Sequence, residues 1–494
     1  MTGDQSVADT DGVAGQPAHG DLKPTRSVKF VYSLGQVVES GYLAVNGFVF
    51  FYYTAVLGMS GSMVGAALAI SLCIDAALDP LIGSWSDGLR SRLGRRIPAM
   101  LIGAPLTMLT MGMMFSPPSG LTPLLLFGWL TLSKIGLRGF ASLYNTPYFA
   151  LGGEMSDDHV ERSQIVAIRL LAGIFVTVLI TAVAYSVFFA GVGGLQRPER
   201  YPAFGWTIAS VILVGALICC AGLWRYAAKL PQPTAAPAPM RQRLPGELAE
   251  LFGNPTFRIL FGSMLLFTSA AGVHAALQNH AYVFVWKLRP ESMQILTYAY
   301  LLGILAGVPV TPILLRRMEK KTATILGLCL VAAAWILLPG LRASGLFAPT
   351  GAEALPWLSA TGLVVGLGSG LILIAYPSMM ADAAEEHEHL YNARREGLFF
   401  SGLGFAGKAA GGVGTLVGGL ALDALHFPRE VGRQVGAEVP EEVLRSLIGA
   451  WGLLPAALAV IGIVVFAPYA VTRAKHALIT TALRARRAAV SNPG

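Results

Sequence analysis

Residues 73–96 read Cys73-Ile-Asp75-Ala-Ala-Leu-Asp79-Pro80-Leu-Ile-Gly83-Ser-Trp-Ser-Asp87-Gly-Leu-Arg90-Ser-Arg92-Leu-Gly94-Arg95-Arg96. The first part closes an apolar run of helix length that nevertheless holds two carboxylates. The second is a short turn with four arginines. A bilayer core of ~30 Å asks for ~20 apolar residues per helix, and Lys and Arg gather in cytoplasmic loops. The stretch therefore reads as the end of a membrane span and the cytoplasmic loop that follows it.

The composition agrees. Of 494 residues, 54% are hydrophobic and 13% charged, about half the ~25% charge typical of soluble domains. A cytosolic enzyme cannot bury that much apolar surface, and a disordered chain is poor in it. The net charge of +8 lies in short clusters between apolar runs, so the expected partner is a lipid bilayer and not nucleic acid. Cys73, Cys219, Cys220 and Cys329 sit inside apolar runs without a CxxC pair and read as core packing.

The membrane ruler gives twelve spans, near 30–57, 63–85, 97–116, 121–151, 165–190, 204–226, 258–286, 294–316, 322–341, 355–381, 397–424 and 446–470. The runs are continuous rather than alternating, which favours helices over a barrel. Arg90, Arg92, Arg95 and Arg96 follow span two, Lys229, Arg241 and Arg243 follow span six, and Arg316, Arg317, Lys320 and Lys321 follow span eight. Both termini are thus expected in the cytoplasm of a multi-pass inner (cell) membrane protein. The Pro-rich stretch 228–257 divides a six-span bundle at 28–227 from a second at 258–470, with a disordered tail at 1–27 and a basic tail at 471–494. The fold class expected is all-α, twelve transmembrane helices in two pseudo-repeated six-helix bundles. Such a division suits a transporter with its binding cavity between the halves.

A charge inside a span costs ~2.5–3.5 kcal/mol on insertion scales, so each one needs a partner or a wet cavity. Asp75 and Asp79 stand four residues apart and so share a helix face. Two acids this close raise one carboxyl's proton affinity or hold a cation between them, which suits H⁺ or Na⁺; only if Na⁺ is the coupling ion are the two carboxylates metal ligands. Pro80 leaves a carbonyl in that turn without its helical donor. Pairing with bases on other helices, merely to hold the bundle, is the alternative use of the two acids. Glu39 forms a polar stripe with Gln36, Asn46 and Tyr53, and span four carries Lys134, Arg138, Ser142, Asn145 and Phe149 at three-to-four-residue steps. Arg169 and Lys408 add bases in spans five and eleven. Carboxylates, an Arg fork, an amide and an aromatic face make a lining for a hydroxyl-rich solute such as a sugar; interhelical salt bridges use the same residues.

Other signals are weaker. Gly366, Gly368 and Gly370, and Gly411, Gly414, Gly418 and Gly419, read as close helix contacts. His387 and His389 read as a solvated cytoplasmic loop, without the Cys partners of a metal site. His274 and His280 suit either a group titrating near neutrality or an ordinary polar helix end. Asp87 before the Gly94-Arg95-Arg96 turn suits a clamp that holds a neighbouring helix in one state and releases it in another.

The Gly83-to-Arg96 loop resembles the loop 2–3 motif of the major facilitator superfamily. With Asp75-Ala-Ala-Leu-Asp79-Pro80, Tyr53-Thr54 after Glu39, Tyr144-Asn145-Thr146-Pro147-Tyr148-Phe149, Arg169, and Glu396-Gly397 before Lys408, nearly the whole chain is similar to the glycoside–pentoside–hexuronide:cation symporter family (melibiose permease-like). The resemblance implies that Asp75 and Asp79 bind the coupling cation, with Ser142 as a hydroxyl beside them and Lys408 interacting with the pair. It implies substrate contact for Glu39 and Arg169, and gating by Asp87, Arg95 and Arg96. Three departures stand out. Asn145 replaces an aspartate and Phe149 a tryptophan, so the sugar does not carry over, and Leu78 replaces an asparagine important for sodium. Lys134 and Arg138 add positive charge that favours an anionic solute if they face the cavity; Lys134 would otherwise snorkel to the interface. The expected activity is secondary transport of a sugar with H⁺ or Na⁺, by a monomer without other cofactors. An exporter, or a carrier of a lysolipid-like amphiphile, is the alternative, and no set of enzymatic residues is visible.

Overall fold

The computed structural model describes residues 24–156, 158–230, 250–391, 395–429, 431, 436 and 438–491. Among them every regular element is helical. The first half holds α1 (Arg26–Leu34), α2 (Val37–Phe51), α3 (Gly61–Asp87), α4 (Ile97–Met114), α5 (Pro123–Glu154), α6 (His159–Val183) and α7 (Arg200–Ala227). The second holds α8 (Pro255–His280), α9 (Pro290–Arg317), α10 (Lys320–Ala343), α11 (Leu355–Tyr391), α12 (Glu396–Ala424), α13 (Glu441–Ile448) and α14 (Leu454–Phe466), followed by α15 (Arg473–Ser491).

Among the described residues, eleven helices are long and apolar enough to cross a membrane. The first span completes the twelve; it is interrupted at Gly35 and Gln36 and diluted by Glu39 and Asn46. Gly35 packs so tightly that an added Cβ would lie 2.5 Å from the Tyr148 ring. The helix starts follow local chemistry. Ser60, Thr122, Asp158 and Asn254 cap the first-turn amides of α3, α5, α6 and α8, and Pro123, Pro255 and Pro290 open their helices, where a missing N–H costs nothing.

The halves repeat one packing plan. Helix α3 lies on α5, α5 on α4 and α4 on α7, while in the second half α9 lies on α11, α11 on α10 and α10 on α14. The paired glycines lie where close packing needs them. Gly366 and Gly370 face Gly303 and Gly307, Gly368 faces Gly327, and Gly414 faces Gly272. Gly411 has open space at its Cβ position and presents only its carbonyl to Gly272.

Call the end of the helices carrying the 88–96 loop the near end, and the opposite end the far end. At the far end the halves close on each other. Asp423 accepts from Gly61 N at 2.8 Å and Ser62 N at 2.9 Å. Asn279 donates to Gly47 O at 2.9 Å, Ser186 to Gln294 at 2.7 Å, and Thr54 Oγ1 meets His280 Nε2 at 3.0 Å. Four spans switch there to π-helical turns, at Tyr52–Val56, Ala184–Phe188, Ala281–Val285 and Gly449–Leu453.

Several expectations need correction. Span ten does not end near 381: α11 runs to Tyr391, so His387 and His389 are helical rather than in a solvated loop. His387 is fully buried and sits 2.9 Å from Glu250. The basic tail is the helix α15, strapped to α11 by Lys475–Glu386 at 2.5 Å and His476–Glu385 at 2.8 Å. Only Cys219 and Cys220 are core residues; Cys73 and Cys329 are exposed on apolar helices. His280 is buried among Phe50, Phe51 and Phe427, and His274 is stacked between Trp335 and Trp451. His274 lies inside α8 and not at its end, while His280 closes α8 but is fully buried. Residues 1–23 and 231–249, and with them most of the expected tail and linker, lie outside the described residues.

Candidate functional site

Helices α2, α3, α5 and α12 meet around a cavity of about 160 Å³ lined by Glu39, Tyr42, Asp75, Asp79, Arg138, Ser142, Asn145, Thr146, Phe149 and Lys408, with Ala141 at its wall. Helical spacing explains the convergence. Residues 138, 142, 145, 146 and 149 fall on one face of α5, as 75 and 79 do on α3 and 39 and 42 on α2. Lys408 comes alone from the second half, carried by the helix that runs antiparallel to α3.

Asp75 Oδ2 accepts from Arg138 Nη2 at 2.5 Å and from Lys408 Nζ at 3.0 Å. Asp79 bonds Lys408 through Oδ2 and the Ser142 hydroxyl through Oδ1. The two acids differ in access, the Asp75 side chain being 4% exposed and that of Asp79 32%. Asn145 Nδ2 donates to Glu39 at 2.6 Å. Arg138 lies over the Tyr42 ring, 5.0 Å from its centroid. Three carboxylates and two cations therefore share one small volume.

The residues expected at the cation pair, Asp75, Asp79, Ser142 and Lys408, are brought together. Of those expected to meet substrate, Glu39, Arg138, Asn145 and Phe149 line the cavity. Arg169 does not; its guanidinium covers the Phe149 ring at 4.6 Å from the centroid. Lys134 neither snorkels nor lines the cavity. It is buried, donating to Asn46 Oδ1 at 2.5 Å above the Tyr42 ring. Sequence reasoning missed Tyr42 and Thr146, although Tyr42 follows Glu39 by three residues and Thr146 follows Ser142 by four, the spacing of a shared helix face.

Asp87, Arg95 and Arg96 also converge, on a residue not foreseen. Arg96 meets Asp87 at 2.5 Å and Glu154 at 2.6 Å, donates to Ser86 at 2.9 Å, and Arg95 meets Glu154 at 2.7 Å. Glu154 is the last residue of α5, so the cluster ties the near ends of α3 and α5 to the start of α4. Glu154→Gln removes the charge both arginines share. Its expected cost is ~1.5–3 kcal/mol, the range for a hydrogen bond to a charged group, read as a lower unfolding temperature of the solubilised protein.

Two pseudo-repeated six-helix halves around a charged cavity between them define a membrane carrier of the major facilitator fold. A family described as "MFS/sugar transport protein" matches residues 32–473, and the chain belongs to that family. Its relatives include the isoprimeverose transporter of Lactiplantibacillus pentosus, 24% identical, with 83% of each chain covered. The glucuronide carrier protein homolog of Escherichia coli is 23% identical, over 92% of this chain and 95% of that one. The sodium-dependent lysophosphatidylcholine symporter 1 of Mus musculus is 25% identical, over 85% and 80%. Among solved structures, a variant of the peptide transporter POT superposes with a TM-score of 0.62 at 14% identity, covering 89% of this chain and 93% of that one; at that identity the likeness speaks for the fold alone.

Proposed function

We propose that this chain is a cation-coupled symporter of a sugar, a glycoside, pentoside or hexuronide, which rocks its two halves around the cavity. The observation that carries the reading is the cavity itself: three acids from one half and a lysine from the other share it, so a change in the relation of the halves changes the charge balance at the site. An uncompensated carboxylate in a low-dielectric interior must take up a cation or find a new base, and that requirement couples ion movement to the swing of the halves. Glu39, Arg138 and Asn145 supply acceptors and donors for hydroxyls, and Phe149 a face for a sugar ring. The names of the isoprimeverose and glucuronide relatives support the substrate class.

The same reading makes the protein a carrier and not an enzyme, working as a monomer in the inner (cell) membrane with both termini in the cytoplasm. The far end is then external and closed, and Asp87, Arg95, Arg96 and Glu154 form a cytoplasmic clamp. The lysophosphatidylcholine relative supports an amphiphile carrier as the second reading. A cavity of about 160 Å³ lined by five charged side chains is small beside the ~300–1,000 Å³ of sites for drug-sized ligands and favours the sugar.

Reconstituted protein, offered a panel of radiolabelled glycosides, pentosides, hexuronides and lysolipids with an imposed ion gradient, tests the proposal. Ionophore-sensitive accumulation of a sugar supports it; accumulation of lysolipid only would replace it by the second reading. Glu39→Gln is expected to raise the half-saturating sugar concentration about tenfold or more, since a charge-assisted bond contributes ~1.5–3 kcal/mol and each 1.4 kcal/mol is tenfold. Arg169→Ala should act more weakly, because Arg169 packs on the Phe149 ring and does not line the cavity.

A further inference from the structure

Two acids on one helix face need compensating charge, and this chain supplies it twice, from different halves. Arg138, on α5 of the first half, bonds Asp75, while Lys408, on α12 of the second, bonds both Asp75 and Asp79. In this arrangement the two carboxylates meet one guanidinium and one ammonium, so the pair itself keeps no net negative charge to attract a metal ion; the third carboxylate of the cavity, Glu39, is engaged by Asn145 instead. The ligands are wrong as well. A hard cation takes several oxygens, yet Asp75 Oδ2 is shared by a guanidinium and an ammonium, and Ser142 already donates to Asp79. Between the acids, Leu78 turns an apolar side chain toward α5, its Cδ1 lying 3.3 Å from where a Cβ on Gly139 would stand.

Arg138 and Lys408 are held differently. The Arg138 guanidinium is buried, lies over Tyr42 and bonds Asp75, and all three residues belong to the first half. That contact survives whichever way the halves swing. Lys408 arrives across the interface and its contacts depend on the swing.

We infer that Arg138 is the resident cation of the Asp75–Asp79 pair, standing where a coupling metal ion would otherwise bind, and that it makes this carrier indifferent to Na⁺. The inference rests on the reading of the acid pair as the coupling site and leaves the proton as the ion that drives transport. It also assigns Arg138 a role that the solute does not require: the residue sets ion specificity.

The test measures Na⁺ directly and needs no solute. Full-length protein in detergent is assayed for radioactive Na⁺ binding, and for thermal unfolding in sodium against choline chloride at equal ionic strength. The wild type should bind no Na⁺ saturably and show no Na⁺-specific shift. Arg138→Ala should gain saturable binding and a Na⁺-specific rise in Tm, both lost again in the double variant with Asp79→Asn. Arg138→Lys, which keeps the charge, should stay indifferent. An alanine variant that folds only when Na⁺ is supplied supports the inference too, since the metal then replaces the guanidinium. Should the alanine variant fail to fold under both salts, Arg138→Gln carries the comparison and the wild-type result still decides. Saturable Na⁺ binding by the wild type that Asp79→Asn abolishes overturns the inference, as does a folded Arg138→Ala or Arg138→Gln that remains indifferent. A solute panel with no transported sugar would sink the sugar reading and leave these outcomes unchanged.

Discussion

Asp79→Asn is expected to abolish ion-driven accumulation while leaving exchange of solute across the membrane largely intact. The acid is the more exposed of the pair, and its charged partner, Lys408, belongs to the opposite half. When the halves separate there, Asp79 loses its ammonium and must acquire a proton or another cation; the amide of Asn never does. Since 1.4 kcal/mol corresponds to a factor of ten, a gradient of one pH unit drives about tenfold accumulation for each proton carried with the solute, and the variant should fall from that ratio to simple equilibration. Membrane vesicles given a pH jump measure the accumulation, and counterflow with preloaded unlabelled solute measures the exchange. Undiminished concentrative uptake by the variant would end the proposed mechanism. Asp75→Asn should fail in a different way. It leaves the buried Arg138 without its carboxylate, and breaking a buried pair costs ~3–5 kcal/mol, so the expected loss is of folded protein before any loss of coupling.

The asymmetry between those neighbours marks the boundary of what the sequence makes legible. Spacing alone put Asp75 and Asp79 on one face of α3, and Arg138, Ser142, Asn145 and Phe149 on one face of α5, because helical periodicity is local. It said nothing of which acid meets which base, because the partners are 63 residues apart for Arg138 and 333 for Lys408 and are brought together only by the packing of α3 between α5 and α12. The spans were readable for an equally physical reason, since lipid requires long apolar runs. That signal vanishes where a helix leaves the bilayer. The end of α11, with Asp382, Glu385, Glu386 and His387, looks like a loop by composition. It stays helical as its carboxylates are met by Lys320 at 2.7 Å and by Lys475 and His476 from α15, while His387 meets Glu250. Lys134 was ambiguous for the same reason: its partner Asn46 lies 88 residues away, on a different span.

Gly419→Ala should prop the two halves apart at their far ends. Helices α3 and α12 run antiparallel in close contact there: Gly65 faces Leu416, Gly412 faces Ala69, and Gly61 faces Gly419. A Cβ on Gly419 would run into the Gly61 carbonyl oxygen and lie 2.6 Å from its carbon. Those atoms are backbone, held in the first turn of α3 by the same Asp423 carboxylate that reaches across from α12, so no flexible side chain can move aside. Overpacking a tight contact costs ~1–3 kcal/mol. Here the strain falls only on the arrangement in which the far ends touch, and the arrangement with the far ends apart escapes it. A differential of that size shifts a two-state equilibrium by ~5–150-fold. The variant should therefore fold, yet spend most of its time with the far end open, and turn over solute more slowly because it resists closing. A cysteine placed at Gly47, whose carbonyl takes part in the far-end contact with Asn279 and whose Cβ position is open, reports the shift through its rate of labelling by a membrane-impermeant thiol reagent in intact cells. The rate should rise with Gly419→Ala and stay at the wild-type level with Gly404→Ala, on the same helix, where an added Cβ would meet open space. Labelling of Gly419→Ala that stays at the wild-type rate, in a protein that still transports, would show that the α3–α12 contact is not what closes the far end.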